Sequence, residues 1–297
     1  MSELYTVQQQ KEWIDACEAD FQGRLCRISE ELLASGVRLC RLTGPTCSGK
    51  TTAAKMIVRE MNARGRQAHI VSIDDFYHDK VYLEELSRQK GLKEVDYDSE
   101  DTIDLQALEV FVREIFTSDT VHSPAFDFCT GKRVPGRVFQ VSEEDVFIIE
   151  GIQVLYPGVS ALFGQYGSFG VFIAPETPMT VGGQVYLPNE LRLLRRLVRD
   201  FNFRGTSAQT TLKMWQSVRE NEEKNIFPYS DACALHIDSA MPYEIGVLKP
   251  YLERILAELP DDSAYLEQAG AILEQIRSAQ PISALLIGED SLYREFV

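Results

Sequence analysis

The chain lacks paired cysteines, a long apolar run and any excess of positive charge, and each absence removes a class of function. Its six cysteines, Cys17, Cys26, Cys40, Cys47, Cys129 and Cys233, are scattered and form no C-x-x-C pair. That pattern argues against a zinc site and a disulfide framework and favours reduced thiols in a cytosol. No apolar stretch approaches the ~20 residues of a membrane-spanning helix. Residues 1–12 are polar, without the apolar centre of a secretion signal. The four histidines, His69, His78, His122 and His236, have no metal-ligand spacing. With 45 acidic against 30 basic residues the formal net charge is −15. Nucleic acid and anionic membranes would be repelled by it. Internal repeats and low-complexity linkers are also missing. The expectation is a cytoplasmic protein without nucleic-acid or membrane partners.

The 297 residues are 44% hydrophobic, enough for one large α/β domain with extra helices. Trp13, Ile14, Cys17, Phe21, Leu25 and Ile28 recur at helical spacing, which predicts an N-terminal helical segment over 1–35. Short apolar runs predict strands at 37–42, 69–73 and 146–149, with weaker ones at 169–173 and 233–237. Helical patterns cover 51–62, 105–116, 189–203, 210–225 and 243–259. Strands alternating with helices imply a parallel sheet covered on both faces. Ligands then bind beyond the carboxyl ends of the strands. The reading divides the chain into the 1–35 segment, a sheet domain over 36–260 with a lid near 190–206, and a helical tail over 261–297. Leu285-Leu286-Ile287 in that tail has no evident partner; the tail reads as a cap on the domain or as a contact in a homo-oligomer.

The first predicted strand runs into Gly44-Pro45-Thr46-Cys47-Ser48-Gly49-Lys50-Thr51, a full match to G-x-x-x-x-G-K-[ST] between a strand and a helix. Glycines let the backbone curl so that peptide N–H groups converge on an anion at the next helix N-terminus. These eight residues and Thr52 are expected to hold the phosphates of ATP. Lys50 would bridge the β- and γ-phosphates, and Thr51 would ligate Mg²⁺.

Carboxylates follow two other strands. Asp74-Asp75-Phe76-Tyr77 suits a base beside an acceptor pocket, although an Asp at a turn or helix cap is a common alternative. Only one of the two acids can face the phosphate. Glu150, at the end of 146–149, is where a carboxylate meets Mg²⁺ directly or through water; the usual residue there is Asp. Arg192, Arg195, Arg196, Arg199 and Arg204 crowd one helix. They read either as phosphate contacts, with Arg196, Arg199 and Arg204 the preferred members, or as a solvated face paired with Glu190 and Asp200. Tyr97-Asp98 and Phe126-Asp127-Phe128 place aromatic rings beside acids, as a stacked base and sugar hydroxyls would need; Phe126 and Phe128 read equally well as core.

Taken in order, the phosphate loop, Asp74-Asp75-Phe76-Tyr77, Tyr97-Asp98, Phe126-Asp127-Phe128, Glu150-Gly151-Ile152 and Arg195-Arg196-x-x-Arg199-Asp200 resemble the uridine kinase and phosphoribulokinase family. The resemblance runs from the loop to about Tyr251. Asn225-Ile226-Phe227-Pro228-Tyr229, Met241-Pro242-Tyr243 and Leu292-Tyr293-Arg294-Glu295-Phe296 look like a bacterial uridine kinase-like subgroup. The resemblance implies a P-loop NTPase three-layer α/β sandwich with a parallel central sheet, carrying extra helices at both termini. It implies Asp74 as the catalytic base, with Lys50 and Arg199 completing the catalytic group. Tyr77 would lie by the acceptor, Asp98 on ribose hydroxyls, Phe126 and Phe128 beside them, and Arg196, Arg199 and Arg204 over the phosphates. Thr51 and Glu150 would hold Mg²⁺. The implied reaction is transfer of the γ-phosphoryl group of ATP to a small-molecule hydroxyl, foremost the 5′-hydroxyl of a nucleoside. Three positions depart from the family, one in the lid and two where its members read the base. Cys129-Thr130-Gly131-Lys132 holds no histidine, Arg204-Gly205-Thr206 lacks a second arginine, and Met214 stands near the place of a glutamine. A non-nucleoside alcohol, as in phosphoribulokinase-like and pantothenate kinase-like enzymes, and a non-catalytic ATP-binding switch remain as alternatives.

Overall fold

Strands whose every residue is apolar can be buried only in a sheet covered on both faces. The computed structural model, which describes residues 5–92, 95, 97 and 99–297, contains such a sheet. Its strands in chain order are β1 (Leu39–Thr43), β2 (Ala68–Ser72), β3 (Thr120–Asp127), β4 (Lys132–Gln140), β5 (Val146–Glu150), β6 (Phe169–Ala174), β7 (Met179–Val181), β8 (Gln184–Tyr186) and β9 (Leu235–Asp238). The five predicted runs become the five parallel strands, in the order β2-β5-β1-β6-β9. β3 and β4 form a separate antiparallel hairpin, and β7 and β8 a short antiparallel ribbon.

The helices are α1 (Val7–Ser35), α2 (Lys50–Ala63), α3 (Lys80–Gln89), α4 (Leu105–Thr117), α5 (Pro157–Gly164), α6 (Pro188–Arg204), α7 (Ala208–Asn225), α8 (Glu244–Ala257) and α9 (Leu266–Ile276). Successive strand residues point to opposite faces. Val146 and Ile148 of β5 therefore join Cys40 and Leu42 in a core shared with α1, α2, α6 and α8. Phe147 and Ile149 join Leu39 in a second core with α4 and α5. Each fully buried side chain of this size contributes roughly 1.5–3 kcal/mol. The three-layer arrangement follows from that alternation.

Register places the functional ends together. Leu42 of β1 and Ser72 of β2 both align with Glu150 of β5, so the loops leaving these three adjacent strands open on one crevice. Ile73, expected in the second strand, instead starts a 3-10 turn over Ile73–Phe76, where Ser72 Oγ accepts the N–H of Asp74 at 3.4 Å.

Both terminal segments lie in the α2–α6–α8 core. Helix α1 starts with a capping box between Thr6 and Gln9 and ends at Gly36, whose φ of 69° is left-handed. In the tail, Ile287 is buried while Leu285 is 89% exposed, so the predicted apolar run is split between core and solvent. Leu292, Tyr293 and Phe296 are fully buried in the main core. Among the described residues, no helix is long and apolar enough to cross a membrane.

Candidate active site

The turn after β1 must fit a curled backbone into almost no space. A Cβ on Gly44 would lie 1.9 Å from the Ile173 carbonyl oxygen, and one on Gly49 would lie 2.2 Å from Leu292 Cδ1. Gly49 has φ 91° and begins α2. Cys47, with φ 58°, is the one non-glycine at positive φ among the described residues. Ser48 Oγ is buried with no hydrogen-bond partner. A hydroxyl orphaned inside a loop of amides fits the oxygen of a bound phosphate.

Lys50 Nζ donates to the carbonyls of Gly44 and Pro45, 2.9 Å each. Burial lowers the pKa of this ammonium, while the carboxylates of Glu150 and Glu295 act in the opposite direction. Thr51 Oγ1 donates to Glu150 Oε1 at 3.3 Å, so the two residues expected at Mg²⁺ are neighbours. Burial pushes the Glu150 carboxyl up to about 7, with Lys50 opposing and Asp74 adding to the rise. One hydroxyl and one carboxylate suit an ion that keeps most of its waters and takes phosphate oxygens. No cluster of three or more metal-ligand side chains occurs among the described residues.

A cavity of about 250 Å³ lies beyond the strand ends. Its lining includes Lys50, Thr51, Asp74 and Glu150 together with the rings of Tyr77, Tyr97 and Phe128. The adjacent acids have separate tasks. Asp74 faces this cavity, whereas Asp75 accepts the backbone N–H of Phe126 at 3.3 Å and so fixes the β3–β4 hairpin. Burial raises the pKa of Asp75.

The aromatic wall is a cluster. Tyr77 stacks on Tyr97 at 6.3 Å and meets Phe126 and Phe128 edge-on at 5.4 and 6.3 Å. Phe126 is buried behind Tyr77 and does not line the cavity; Phe128 does, and is 66% exposed. Asp127 does not face the cavity wall but closes the hairpin turn, accepting the N–H of Cys129 at 2.9 Å and the hydroxyl of Thr130 at 2.8 Å. Asp98 lies outside the described residues.

The arginine group divides. Arg199 and Arg204 line the cavity. Arg196 Nη1 reaches Thr46 Oγ1 of the loop at 3.5 Å. These three surround one buried carboxylate, Asp200, at 3.2 Å from Arg196, 2.8 Å from Arg199 and 3.6 Å from Arg204. Asp200 thus gathers the three guanidiniums, of which Arg199 and Arg204 reach the cavity wall and Arg196 does not. Burial acts to lower the Arg199 pKa, but nearby Cys47 and Asp200 outweigh it and the guanidinium is held more firmly protonated. Arg192 and Arg195 do not line the cavity. They are fully engaged in buried ion pairs with Glu222 and Glu244.

Two cavity residues were given no site role by the sequence, although Glu295 lies in the Leu292–Phe296 segment that resembles the bacterial subgroup. Gln153 Nε2 donates to Tyr77 Oη at 2.8 Å and to the Tyr97 carbonyl at 3.0 Å, leaving its buried Oε1 without a partner. Glu295 comes from the tail and accepts the hydroxyl of Thr52 at 3.5 Å. Thr52 lines a neighbouring cavity of about 530 Å³, bounded by Phe203, Arg204 and the tail residues Asp290 and Arg294.

The family model described as phosphoribulokinase / uridine kinase matches residues 39–244. The uridine kinase of Mycoplasma genitalium is 26% identical over 180 residues, covering 61% of this chain and 74% of its own. The uridine kinase of Lactobacillus helveticus is 27% identical over 175 residues, covering 59% of this chain and 72% of its own. The solved structure of the Saccharomyces cerevisiae protein YFH7 superposes with a TM-score of 0.51 at 11% identity, over 73% of this chain and 98% of that one. That last similarity is one of fold alone.

Proposed function

We propose a function from one premise: the chain belongs to the phosphoribulokinase / uridine kinase family of P-loop kinases. On that premise the cavity is read as a phosphoryl-transfer site with ATP as donor and a small-molecule alcohol as acceptor, foremost the 5′-hydroxyl of a nucleoside. The observation that carries this reading is that Lys50 and Asp74 line the same cavity together with Tyr77, Phe128, Arg199 and Arg204.

The chemistry assigned to the residues is as follows. The loop amides and Ser48 Oγ hold the donor's phosphate oxygens. Lys50 exchanges its two carbonyl partners for the β- and γ-phosphates. Asp74 takes the proton of the acceptor hydroxyl while its oxygen bonds to the γ-phosphorus and the bond to the ADP oxygen breaks. Arg196, Arg199 and Arg204 carry the charge that spreads over the transferring group. Thr51 and Glu150 would hold Mg²⁺, which supplies charge neutralisation at the phosphates when bound. Tyr77, Tyr97, Phe128 and the partnerless Gln153 Oε1 orient the acceptor.

A second reading, an acceptor other than a nucleoside, is favoured by the turn at Cys129-Thr130-Gly131-Lys132. Asp127 holds that turn in place, and it presents no histidine to a pyrimidine. A panel of nucleosides, sugar phosphates and pantothenate with labelled ATP tests both. Transfer to uridine or cytidine supports the first, and transfer only to another alcohol supports the second. ATP binding with no transfer to any acceptor overturns the enzymatic reading in favour of a switch protein.

A further inference from the structure

Helix α6 carries arginines at i, i+3, i+4 and i+7 (Arg192, Arg195, Arg196 and Arg199), and they serve two sides of the phosphate loop. Arg192 is 1% exposed and Arg195 is 0% exposed. Each is matched by a buried carboxylate from another helix. Arg192 meets Glu222 of α7 through two bonds of 2.6 and 2.8 Å. Arg195 meets Glu244 of α8 through two of 2.7 and 3.1 Å. Such buried pairs add little net stability, since desolvation offsets most of the attraction. Their further contacts are more telling. Arg192 Nη1 donates to the Thr46 carbonyl at 3.2 Å, and Glu222 Oε1 accepts the Thr46 N–H at 3.0 Å. Arg195 Nη1 donates to the Cys47 carbonyl at 3.3 Å. Both polar groups of Thr46 and the carbonyl of Cys47 are thus gripped from behind, at the residue whose left-handed φ costs about 1–2 kcal/mol.

We infer that Arg192–Glu222 and Arg195–Glu244 are positioning pairs that preset the phosphate loop for its anion. They hold Cys47 in its strained conformation and withdraw the Thr46 N–H from the ligand, so the anion is met by the amides beyond it. The inference rests on the reading of this loop as a triphosphate site; its geometric half does not. Neither pair touches the cavity, so neither is catalytic.

The double variant Arg192→Met/Glu222→Met tests this, because an apolar pair of similar length removes both charges together and such exchanges are commonly tolerated. Hydrogen exchange on the nucleotide-free protein comes first. The Thr46 amide should be protected in the parent chain and lose on the order of tenfold or more of that protection in the variant, as expected for loss of a charge-assisted bond. Calorimetric ATP binding and steady-state kinetics come second. Kd and KM for ATP should rise roughly tenfold, with the acceptor KM unchanged and kcat changed less. Should the double variant fail to fold, Arg192→Lys keeps the charge opposite Glu222 without the fork that reaches the Thr46 carbonyl; Glu222 still accepts the Thr46 N–H, so that amide should stay protected while Kd and KM for ATP rise. A Thr46 amide that exchanges freely in the parent chain, or a folded variant with parental ATP affinity, overturns the inference. If the parent chain and Lys50→Ala alike fail to bind ATP, the nucleotide reading fails, and the exchange result still decides the positioning role.

Discussion

The two sides of the cavity are made of different material. On the proposed function the donor side is the turn between β1 and α2, wedged between the Ile173 carbonyl and Leu292 and gripped from behind by two buried ion pairs. The acceptor side is a hairpin whose second strand is largely solvent-facing, with Phe128 exposed at its turn. The donor side is held by the main core, whereas the acceptor side rests on the second core through Tyr77, Val121 and Phe126 and on polar contacts such as Asp75 to Phe126 and Gln153 to Tyr77. A loop held this way can change its specificity at little cost to the fold.

The comparison predicts unequal responses to mutation. Asp74→Asn should lower kcat by at least ~10²-fold, because it removes the proposed base, while ATP Kd by calorimetry stays near the parental value. Retention of near-parental turnover would remove Asp74 as the base. Leu292→Ala should cost roughly 2–5 kcal/mol in urea denaturation and weaken ATP binding without moving the acceptor KM. An equal rise in both KM values would break the distinction between the sides.

Glu150 gives a pH signature on the donor side. Its carboxyl is raised from 4.5 to about 7, so the folded protein binds more protons than the unfolded chain between those values. The stabilisation is full below the unfolded pKa and is lost as pH rises through about 7. On the order of 3 kcal/mol should disappear between pH 4.5 and 7. Glu150→Gln should flatten that slope in chemical denaturation, and a slope equal to the parent's would assign it to other groups. The smallest effect is expected at the exposed ring. Phe128→Ala should leave stability within about 0.5 kcal/mol, raise the acceptor KM several-fold and leave ATP KM alone; an unchanged acceptor KM would remove the aromatic wall from the site.

What the sequence disclosed follows the same division. The five sheet strands were legible because burial on both faces requires continuous apolar runs, and the phosphate loop because its glycines and lysine have fixed spacing. The hairpin was not legible as a pair of strands. Pro124, Pro135 and Gly136 interrupt it, and one face of β4 is in water, so the pattern of two is weak. The spacing favoured Arg196, Arg199 and Arg204 as phosphate contacts but gave no sign of what Arg192 and Arg195 do. Their partners Glu222 and Glu244 lie 30 and 49 residues further along the chain. Gln153 and Glu295 acquire meaning only through what the fold brings beside them.

The docking of the tail has a consequence for biosynthesis. Tyr293 Oη accepts a hydrogen bond from Arg195 at 2.5 Å, and Leu292 fills the space opposite Gly49. On a ribosome, the segment carrying Gly44 to Thr51 emerges some 240 residues before the residues that brace it. A nascent polypeptide that has made the loop and the sheet still lacks that buttress. On the proposed function, tight nucleotide capture should therefore switch on abruptly, once residues 292–296 have left the exit tunnel and seated.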